Sequence, residues 1–305
     1  MRYFITGATG FVGRNVTSAL ASENAEIATF VRNKAKAEKQ NLSTAGIKLF
    51  VGDLADTHSL DLALKAFKPH TIIHLGWSGV TAADRNHPNQ IDNLNSTFLL
   101  AELAIKQGAQ AFIGLGSQAE YGPKQGVIDE SALCEPNSMY GACKLASFHT
   151  VQQLCQIHGI RFSWLRLFSC YGPNDTRTFL IPSVIEALLN RCPPSLTAGS
   201  QIWDYLYVAD AADAIVRIAK SSDITGVFNL GSGIGVPIKT IIEQLRDLVD
   251  KDLPLKFGEV PYGPNSTMHL QADISKLISV GWRPKTSLAD GLKTTIDWHR
   301  IAKKI

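Results

Sequence analysis

Three glycines near the start of the chain constrain its fold more than any other feature. The motif TGATGFVG (6–13) follows a short apolar run and precedes a pattern typical of an amphipathic helix. Glycines at this spacing allow a tight turn, close approach of a ligand to the backbone, and close packing of helix on strand. Two glycines alone would indicate an ordinary strand-to-helix turn. Three of them predict a strand–turn–helix unit whose helix N-terminus binds an anion.

Short apolar runs alternate with helical patterns over the first two thirds of the chain. The predicted strands are residues 3–6, 26–31, 48–51, 71–75, 111–115 and 162–168, and the predicted helices include 11–22, 60–67, 94–107 and 140–158. Apolar strands separated by helices predict a parallel sheet that is covered on both faces. The predicted fold class is therefore α/β, with a Rossmann-type doubly wound parallel sheet.

The pattern changes after Tyr171, where prolines interrupt it and helices dominate. A further strand at 227–230 is predicted to return to the main sheet. We therefore predict a dinucleotide-binding Rossmann domain formed by residues 1–175 and 204–232. A smaller, mostly helical C-terminal lobe that binds substrate is predicted from residues 176–203 and 233–305.

Composition narrows the classes of function. The chain has 305 residues, a formal net charge of +3 and 45% hydrophobic residues, so it has enough apolar residues for a full core and no nucleic-acid footprint. The five cysteines form no CxxC pair, which predicts free thiols and no metal site. No apolar run approaches the roughly 18 residues that span a membrane, and the first strand leaves no room for a signal peptide. These features predict a cytoplasmic protein with no membrane partner.

The residues after the second predicted strand indicate which dinucleotide the glycine loop binds. Enzymes that use NAD place an acid about 20 residues beyond the first glycines, whereas this chain has Arg32 followed by Asn33 and Lys34. Because a guanidinium pairs with the 2′-phosphate of NADP, the sequence predicts NADP, with NAD possible. The alternative is that Arg32 is only a surface charge. Asp53, after the third strand, is predicted to accept a hydrogen bond from the adenine amino group, or else to cap the next helix.

Tyr140 and Lys144 form the predicted acid–base pair. At a spacing of four residues on a helix, the two side chains lie on one face. A nearby ammonium stabilises a phenolate. Such a tyrosine can give or take a proton at a substrate oxygen while a hydride moves to or from a nicotinamide.

Several further motifs accompany this pair: GDL (52–54), HLG (74–76), NLNST (93–97), GSQAEYG (116–122), YGACK (140–144), LRLFSCYGP (165–173), DYLYVAD (204–210), FNLGSG (228–233) and GWRP (281–284). With them, nearly the whole chain resembles the extended short-chain dehydrogenase/reductase family, the group of nucleotide-sugar epimerases, dehydratases and reductases. The resemblance implies that Ser117, Tyr140 and Lys144 are catalytic. It also implies the residues that contact the cofactor: Gly7, Thr9, Gly10, Phe11, Val12, Gly13, Arg32, Asp53, Leu54, Leu75, Gly76, Asn93, Tyr140 and Lys144.

The resemblance further implies a homodimer built from the helices predicted at 94–107 and 140–158. These helices have more apolar positions than one buried stripe requires, including Leu99, Leu103, Leu145, Phe148, Leu154 and Cys155. The alternative is that both helices simply pack on the sheet.

Three departures from the family pattern are visible: the first bears on the reaction, and the other two bear on the contacts with the nucleotide diphosphate. Family members that eliminate water from the sugar carry Thr-Asp-Glu where this chain has Ser117, Gln118 and Ala119. Since neither glutamine nor alanine titrates, we predict that the chain is not a 4,6-dehydratase. Relatives also commonly direct an Asn and an Arg at the nucleotide diphosphate, where this chain has Ser169 and Trp203.

Three functions agree with these residues. The one we favour from the sequence is an NADP-dependent reductase or dehydrogenase acting on a nucleotide-activated sugar, at carbon 4 of a 4-keto-6-deoxy sugar. The first alternative is a nucleotide-sugar 4-epimerase with bound NAD, which uses the same site residues. The second is a non-catalytic dinucleotide sensor, which would not need the tyrosine and lysine.

Overall fold

The computed structural model of the protein describes residues 1–23, 25–42, 46–175, 178–263 and 266–303. Its strands in chain order are β1 (Arg2–Thr6), β2 (Glu26–Val31), β3 (Lys48–Val51), β4 (Thr71–His74), β5 (Ala111–Ser117), β6 (Gly126–Ile128), β7 (Arg161–Leu167), β8 (Ser169–Tyr171), β9 (Ser195–Leu196), β10 (Ile202–Tyr207), β11 (Gly226–Leu230), β12 (Gly235–Pro237), β13 (Lys256–Phe257) and β14 (His269–Ala272). Its helices are α1 (Phe11–Ala21), α2 (Lys34–Lys39), α3 (Thr57–Phe67), α4 (Gln90–Lys106), α5 (Met139–Ile157), α6 (Leu180–Leu189), α7 (Val208–Lys220), α8 (Ile238–Val249), α9 (Ser275–Ser279) and α10 (Leu288–Lys303). A 3-10 turn (Gln118–Glu120) follows β5.

Seven strands of the described chain form the main sheet, in the order β11-β7-β5-β4-β1-β2-β3. The pairings from β3 through to β7 are parallel. Each strand predicted for this sheet begins and ends within two residues of the observed strand, and the Rossmann-type doubly wound fold is confirmed. The strand order reverses at β1, which lies between β2 and β4, so the loops after β1 and β4 meet at the switch point where such sheets bind ligands.

Aromatic side chains fix the strands that carry this switch point. Phe4 of β1 stacks on Phe30 of β2, with ring centroids 6.1 Å apart, and Phe112 of β5 stacks on Phe162 of β7 at 6.4 Å. All four rings are buried in one core with Trp164 and with side chains of α3, α4 and α5. Burial of each such side chain contributes about 1.5–3 kcal/mol. The strand ends are therefore held on a rigid support.

The chain divides into two compact units. The first comprises residues 1–122, 133–167 and 212–228, and the second comprises 123–132, 168–211 and 229–305. These bounds differ from the predicted ones because β8 pairs with β10, and β10 pairs in turn with β12 and β14 of the second unit. The prediction had assigned the segments of β8 and most of β10 to the dinucleotide domain.

The second unit has its own core, formed by α6, α8 and α10 together with aromatic side chains of β8 and β10. Its strands are short, such as β12 with three residues and β13 with two. A run of two or three residues carries no readable period, so the sequence indicated the helices of this lobe and missed most of its strands.

The side chains that suggested a dimer lie in the core of the first unit. Leu103, Phe148 and Cys155 are buried there, and the partly buried Leu99, Leu145 and Leu154 pack against them. These six residues therefore support the alternative that α4 and α5 pack on the sheet, and the homodimer stays a prediction. In the described part of the chain, no helix combines the length and the hydropathy needed to cross a membrane.

Candidate active site

The glycine loop after β1 is as tight as its sequence predicts. Gly7 has φ +74°, and a Cβ placed on it would lie 2.6 Å from the backbone nitrogen of Gly76. A Cβ on Gly13 would lie 2.0 Å from the carbonyl oxygen of Gly7. The loop closes with a hydrogen bond from Gly10 N to Gly7 O of 2.9 Å. Side chains are thus excluded where the backbone turns. The other predicted residues of the loop line it: Thr9 and Phe11 are half-buried and Val12 is buried.

The first turn of α1 is open to an anion. The residue before the helix is Gly10, which makes no side-chain cap, and the first turn contains no acidic residue. The N–H groups at a helix N-terminus and the helix dipole together favour a pyrophosphate at this position. The cradle therefore fits a dinucleotide, although the contacts predicted for its individual residues stay predictions.

A buried chain of hydrogen bonds supports the loop. Thr97 Oγ1 donates to Asn93 O (2.7 Å), so it accepts from His74 Nε2 (2.9 Å). His74 Nδ1 then accepts from Thr6 Oγ1 (2.7 Å), which in turn accepts from Gly76 N (3.3 Å). Burial, assisted by the charge of Lys144, lowers the pKa of His74 to about 3, so its ring is neutral at working pH. The sequence showed HLG only as a motif, because its hydroxyl partners come from distant segments.

Arg32 and Asp53 lie at the carboxyl ends of the neighbouring strands β2 and β3, and both are exposed. Asn33 caps α2 by accepting a hydrogen bond from Lys36 N (2.9 Å). Asp53 accepts one from Ala55 N (2.9 Å). The cap of α3 is Asp56, so the alternative role for Asp53, a helix cap, is not the one observed.

Arg14 was missed by sequence reasoning and lies directly after the glycine loop. Its Nε is buried and has no hydrogen-bond partner among the described residues. Burial lowers the pKa of this guanidinium. Since a buried polar atom without a partner is costly, we predict that Arg14 contacts an anionic ligand.

The three predicted catalytic residues come from two elements packed together. Ser117 ends β5, and Tyr140 and Lys144 lie in the first turns of α5, which Ser138 caps by accepting from Gly141 N (3.1 Å). A Cβ on Gly141 would lie 2.4 Å from the carbonyl oxygen of Ala119, two residues after Ser117. Only glycine allows this approach, and the approach brings the end of β5 next to the start of α5.

Ser117 also caps the 3-10 turn, since its Oγ accepts from Ala119 N (3.2 Å). Its hydroxyl hydrogen can still be donated to a ligand. Ser117 therefore has a structural role that is compatible with the predicted catalytic one.

Lys144 is almost fully buried. Its Nζ donates to Leu115 O (2.6 Å) and lies 3.8 Å from the centre of the Trp77 ring. Burial lowers the pKa of Lys144 to about 7, although the negative charge of Glu120 opposes this shift. The ammonium thus titrates near neutral pH.

Glu120 is a buried carboxylate that the sequence analysis did not consider. It accepts hydrogen bonds from Ser117 N (2.8 Å), from Trp164 Nε1 (3.0 Å) and from Arg166 Nε (2.8 Å). Glu120 is 0% exposed and Arg166 is 3% exposed. These contacts hold the backbone of Ser117 in place. They also engage the Glu120 carboxylate in the protein interior.

A loop between β4 and α4 forms one wall of the site. Gln90 Oε1 accepts from Trp77 Nε1 (2.8 Å), and the Trp77 ring meets the Tyr140 ring edge-on at 6.0 Å.

Asn93, predicted to contact the cofactor, uses its amide to bond both the N (2.9 Å) and the O (3.1 Å) of Ser78. The side chain of Leu54 lies over Gly76, and Leu75 is half-buried beside it.

In the second unit, Trp203 Nε1 donates to Thr267 O (3.2 Å), and its ring stacks on Tyr205 at 6.3 Å. Ser169 begins β8 and pairs with Tyr205 of β10. Among the described residues, no group of three or more His, Cys, Asp or Glu side chains is arranged to hold a metal ion.

Comparisons with known proteins agree with this geometry. A family model described as the NAD dependent epimerase/dehydratase family matches residues 3–231. The chain is 23% identical over 316 residues to a dTDP-D-glucose 4,6-dehydratase from Mus musculus (98% of this chain, 88% of that protein). It is 25% identical over 323 residues to a UDP-glucose 4-epimerase from Azospirillum brasilense (98% and 92%). The solved structure of MoeE5 in complex with UDP-glucose and NAD is 25% identical, with a TM-score of 0.87 over 99% of this chain and 100% of that one.

Proposed function

Since the chain belongs to the NAD dependent epimerase/dehydratase family, we propose that it is a nucleotide-sugar 4-epimerase, which inverts the hydroxyl at carbon 4 of a UDP-activated sugar. Membership of the family confirms what the motifs indicated, and it confirms an enzyme of the NAD(P)-dependent sugar-nucleotide type. The sequence had favoured a 4-keto reductase. The relatives support the epimerase better, because those named for it match almost the full chain.

The observation that supports the proposal is that Tyr140 and Lys144 lie in the first turns of α5, next to Ser117 at the end of β5. In the proposed reaction Tyr140 takes the proton of one sugar hydroxyl and returns it, Ser117 donates a hydrogen bond to the same oxygen, and Lys144 favours the phenolate. A bound nicotinamide dinucleotide would supply the acceptor and donor of hydride. Residues of the glycine loop would hold its pyrophosphate.

Elimination of water needs an additional acid and base, and the residues after Ser117 do not provide them. Gln118 and Ala119 do not titrate, and Glu120 is held by Trp164 and Arg166 in the interior. The likeness to 4,6-dehydratases is therefore a likeness of family, and we do not extend their reaction to this chain.

The test is an assay without added cofactor. Purified protein should interconvert UDP-glucose and UDP-galactose, as followed by chromatography, with no net change at the nicotinamide absorbance band. Stoichiometric consumption of NADPH with a 4-keto-6-deoxy nucleotide sugar, and no epimerised product, would overturn the proposal in favour of the reductase.

The cofactor is the point at which the prediction from the sequence and the relatives differ. The family is NAD-dependent and MoeE5 binds NAD, so the comparisons do not support our prediction of NADP. One feature nevertheless favours a 2′-phosphate: Arg32 follows β2 where an acid would be expected. This observation keeps the NADP-dependent reductase as the second candidate function.

We expect NADPH to bind more tightly than NADH by roughly ten- to hundredfold, because a charge-assisted contact contributes about 1.5–3 kcal/mol. Arg32→Asp should reverse this order. Fluorescence titration of both cofactors measures it, and Lys65→Asp, an equal change of charge on the exposed face of α3, is the control. Equal affinity for both cofactors, or tightly retained NAD in the purified protein, would contradict the NADP proposal.

A homodimer through α4 and α5 is also proposed, on the family resemblance. Ile91 and Phe98 of α4 are 45% and 39% exposed and lie seven residues apart, on one face of the helix. We expect light scattering at micromolar concentration to give twice the chain mass, and Phe98→Asp to give the monomer. Leu62→Asp, which charges an exposed leucine of α3, should leave the dimer intact. A monomeric wild-type mass would rule the dimer out.

A further inference from the structure

The segment between β4 and α4 is hydrogen-bonded to Tyr140 and to its neighbour Met139. Tyr140 N donates to Arg85 O (2.8 Å), and Met139 N donates to the side chain of Asn86 (3.2 Å). Two backbone N–H groups at the start of α5, where a helix has no acceptors of its own, therefore donate to this segment. Any side chain that the segment presents here has a fixed position relative to Tyr140.

The segment is also held internally. Gln90, which is 2% exposed, donates from Nε2 to Gly79 O (2.6 Å) and to Asp84 O (3.1 Å). Thr81 Oγ1 donates to Asp84 Oδ2 (2.5 Å), and Arg85 N donates to Thr81 O (3.2 Å). These hydrogen bonds fix the backbone position from which the side chain of Arg85 extends, before any ligand binds.

The guanidinium of Arg85 lies over the ring of Tyr140. Its Cζ is 5.2 Å from the ring centroid, and its Nε donates to Val80 O (3.3 Å). A cation within about 6 Å of an aromatic face is attracted to the ring, and one near a phenol favours the ionised form.

We propose that Arg85 is a positioning residue, a permanent second cation that stabilises the phenolate of Tyr140 in the reaction proposed above. A lysine alone would be an uncertain source of charge here, because burial lowers the pKa of Lys144 to about 7. Arginine stays protonated throughout the working range. The two cations therefore act over different ranges of pH. Lys144 titrates near neutral pH, and Arg85 keeps the field on Tyr140 when Lys144 has lost its proton.

Other charges near the start of α5 cannot substitute for Arg85. Glu120 and Arg166 neutralise each other in a buried pair, and His74 of β4 is neutral, since burial lowers its pKa to about 3. Burial raises the pKa of Cys143, so this thiol is uncharged. The remaining charged or titratable side chains of α4 and of the segment before it are exposed: Asp84, His87, Asp92, Glu102 and Lys106.

The experiment measures ionisation of Tyr140 directly and uses no sugar. The phenolate absorbance of the full-length protein is titrated with pH and compared with that of Tyr140→Phe, so that the difference isolates this one tyrosine. We expect Arg85→Gln to raise the Tyr140 midpoint by about 1 pH unit, the shift that one nearby charge produces. Arg85→Lys should keep most of the wild-type midpoint, and Lys65→Gln, which removes an exposed charge of α3, should leave it unchanged.

Circular dichroism establishes that each variant is folded, and Arg85→Met replaces Arg85→Gln if the latter is not. A midpoint that is the same in the charge-removing variant and in wild type would overturn the proposal. In the epimerase assay, the acidic limb of the pH profile for turnover should move in the same direction. If the protein epimerises no sugar but the titration shifts, the proposed function fails and the role of Arg85 stands.

Discussion

Replacement of Tyr140 by phenylalanine is expected to lower turnover by about 10²–10⁴-fold, the range that one general acid–base group contributes. The ring keeps its edge contact with Trp77 and the cation of Arg85 over its face, so the fold and the affinity for the cofactor should change little. The change removes the proton donor. Single-turnover and steady-state assays with UDP-glucose measure the effect.

Lys144→Ala serves as the contrasting variant. Lys144 is buried, bonds Leu115 O and lies over the Trp77 ring, and it is predicted to contact the cofactor ribose as well. Its loss should therefore weaken cofactor binding together with turnover. Near wild-type turnover in folded Tyr140→Phe would show that the acid–base assignment is wrong.

Removal of Glu120 is expected to have the largest effect on stability. In Glu120→Ala the guanidinium of Arg166, 3% exposed, is left without its carboxylate, and loss of one partner of a buried ion pair costs about 3–5 kcal/mol. Trp164 Nε1 and Ser117 N lose an acceptor in the same change. The midpoint of urea unfolding, followed by tryptophan fluorescence, should fall accordingly.

Two controls separate this effect from a general loss of charge. Glu38→Ala breaks the exposed pair with Lys34 on α2, and such pairs contribute about 0–1 kcal/mol. The double variant Glu120→Val, Arg166→Met removes both buried charges and should recover part of the loss. A midpoint for Glu120→Ala no lower than that of Glu38→Ala would refute the structural role of the pair.

The strands β2 and β3 show what a local sequence pattern can predict about the fold. Both were predicted with their observed bounds, because each has a short apolar run that ends at glycine or at charge, although β2 is buried and β3 is the half-exposed edge strand. In the second unit, β12 and β13 are too short to carry a period, and their pairing depends on segments far away in the chain. The same limit explains the domain bounds, since nothing local to residues 169–171 indicates that β8 pairs with β10.

The chain by itself determined the glycine loop, the alternation that builds the sheet, the Tyr140–Lys144 pair and the family. Each of these is a short-range pattern whose chemistry depends on residues a few positions apart. Only the tertiary structure decided that Asn93 bonds Ser78, that Glu120 pairs with Arg166, that His74 is neutral, and that Arg85 lies over Tyr140. Burial, pairing and pKa depend on neighbours in space, and packing brings those neighbours together from segments that share no local signal.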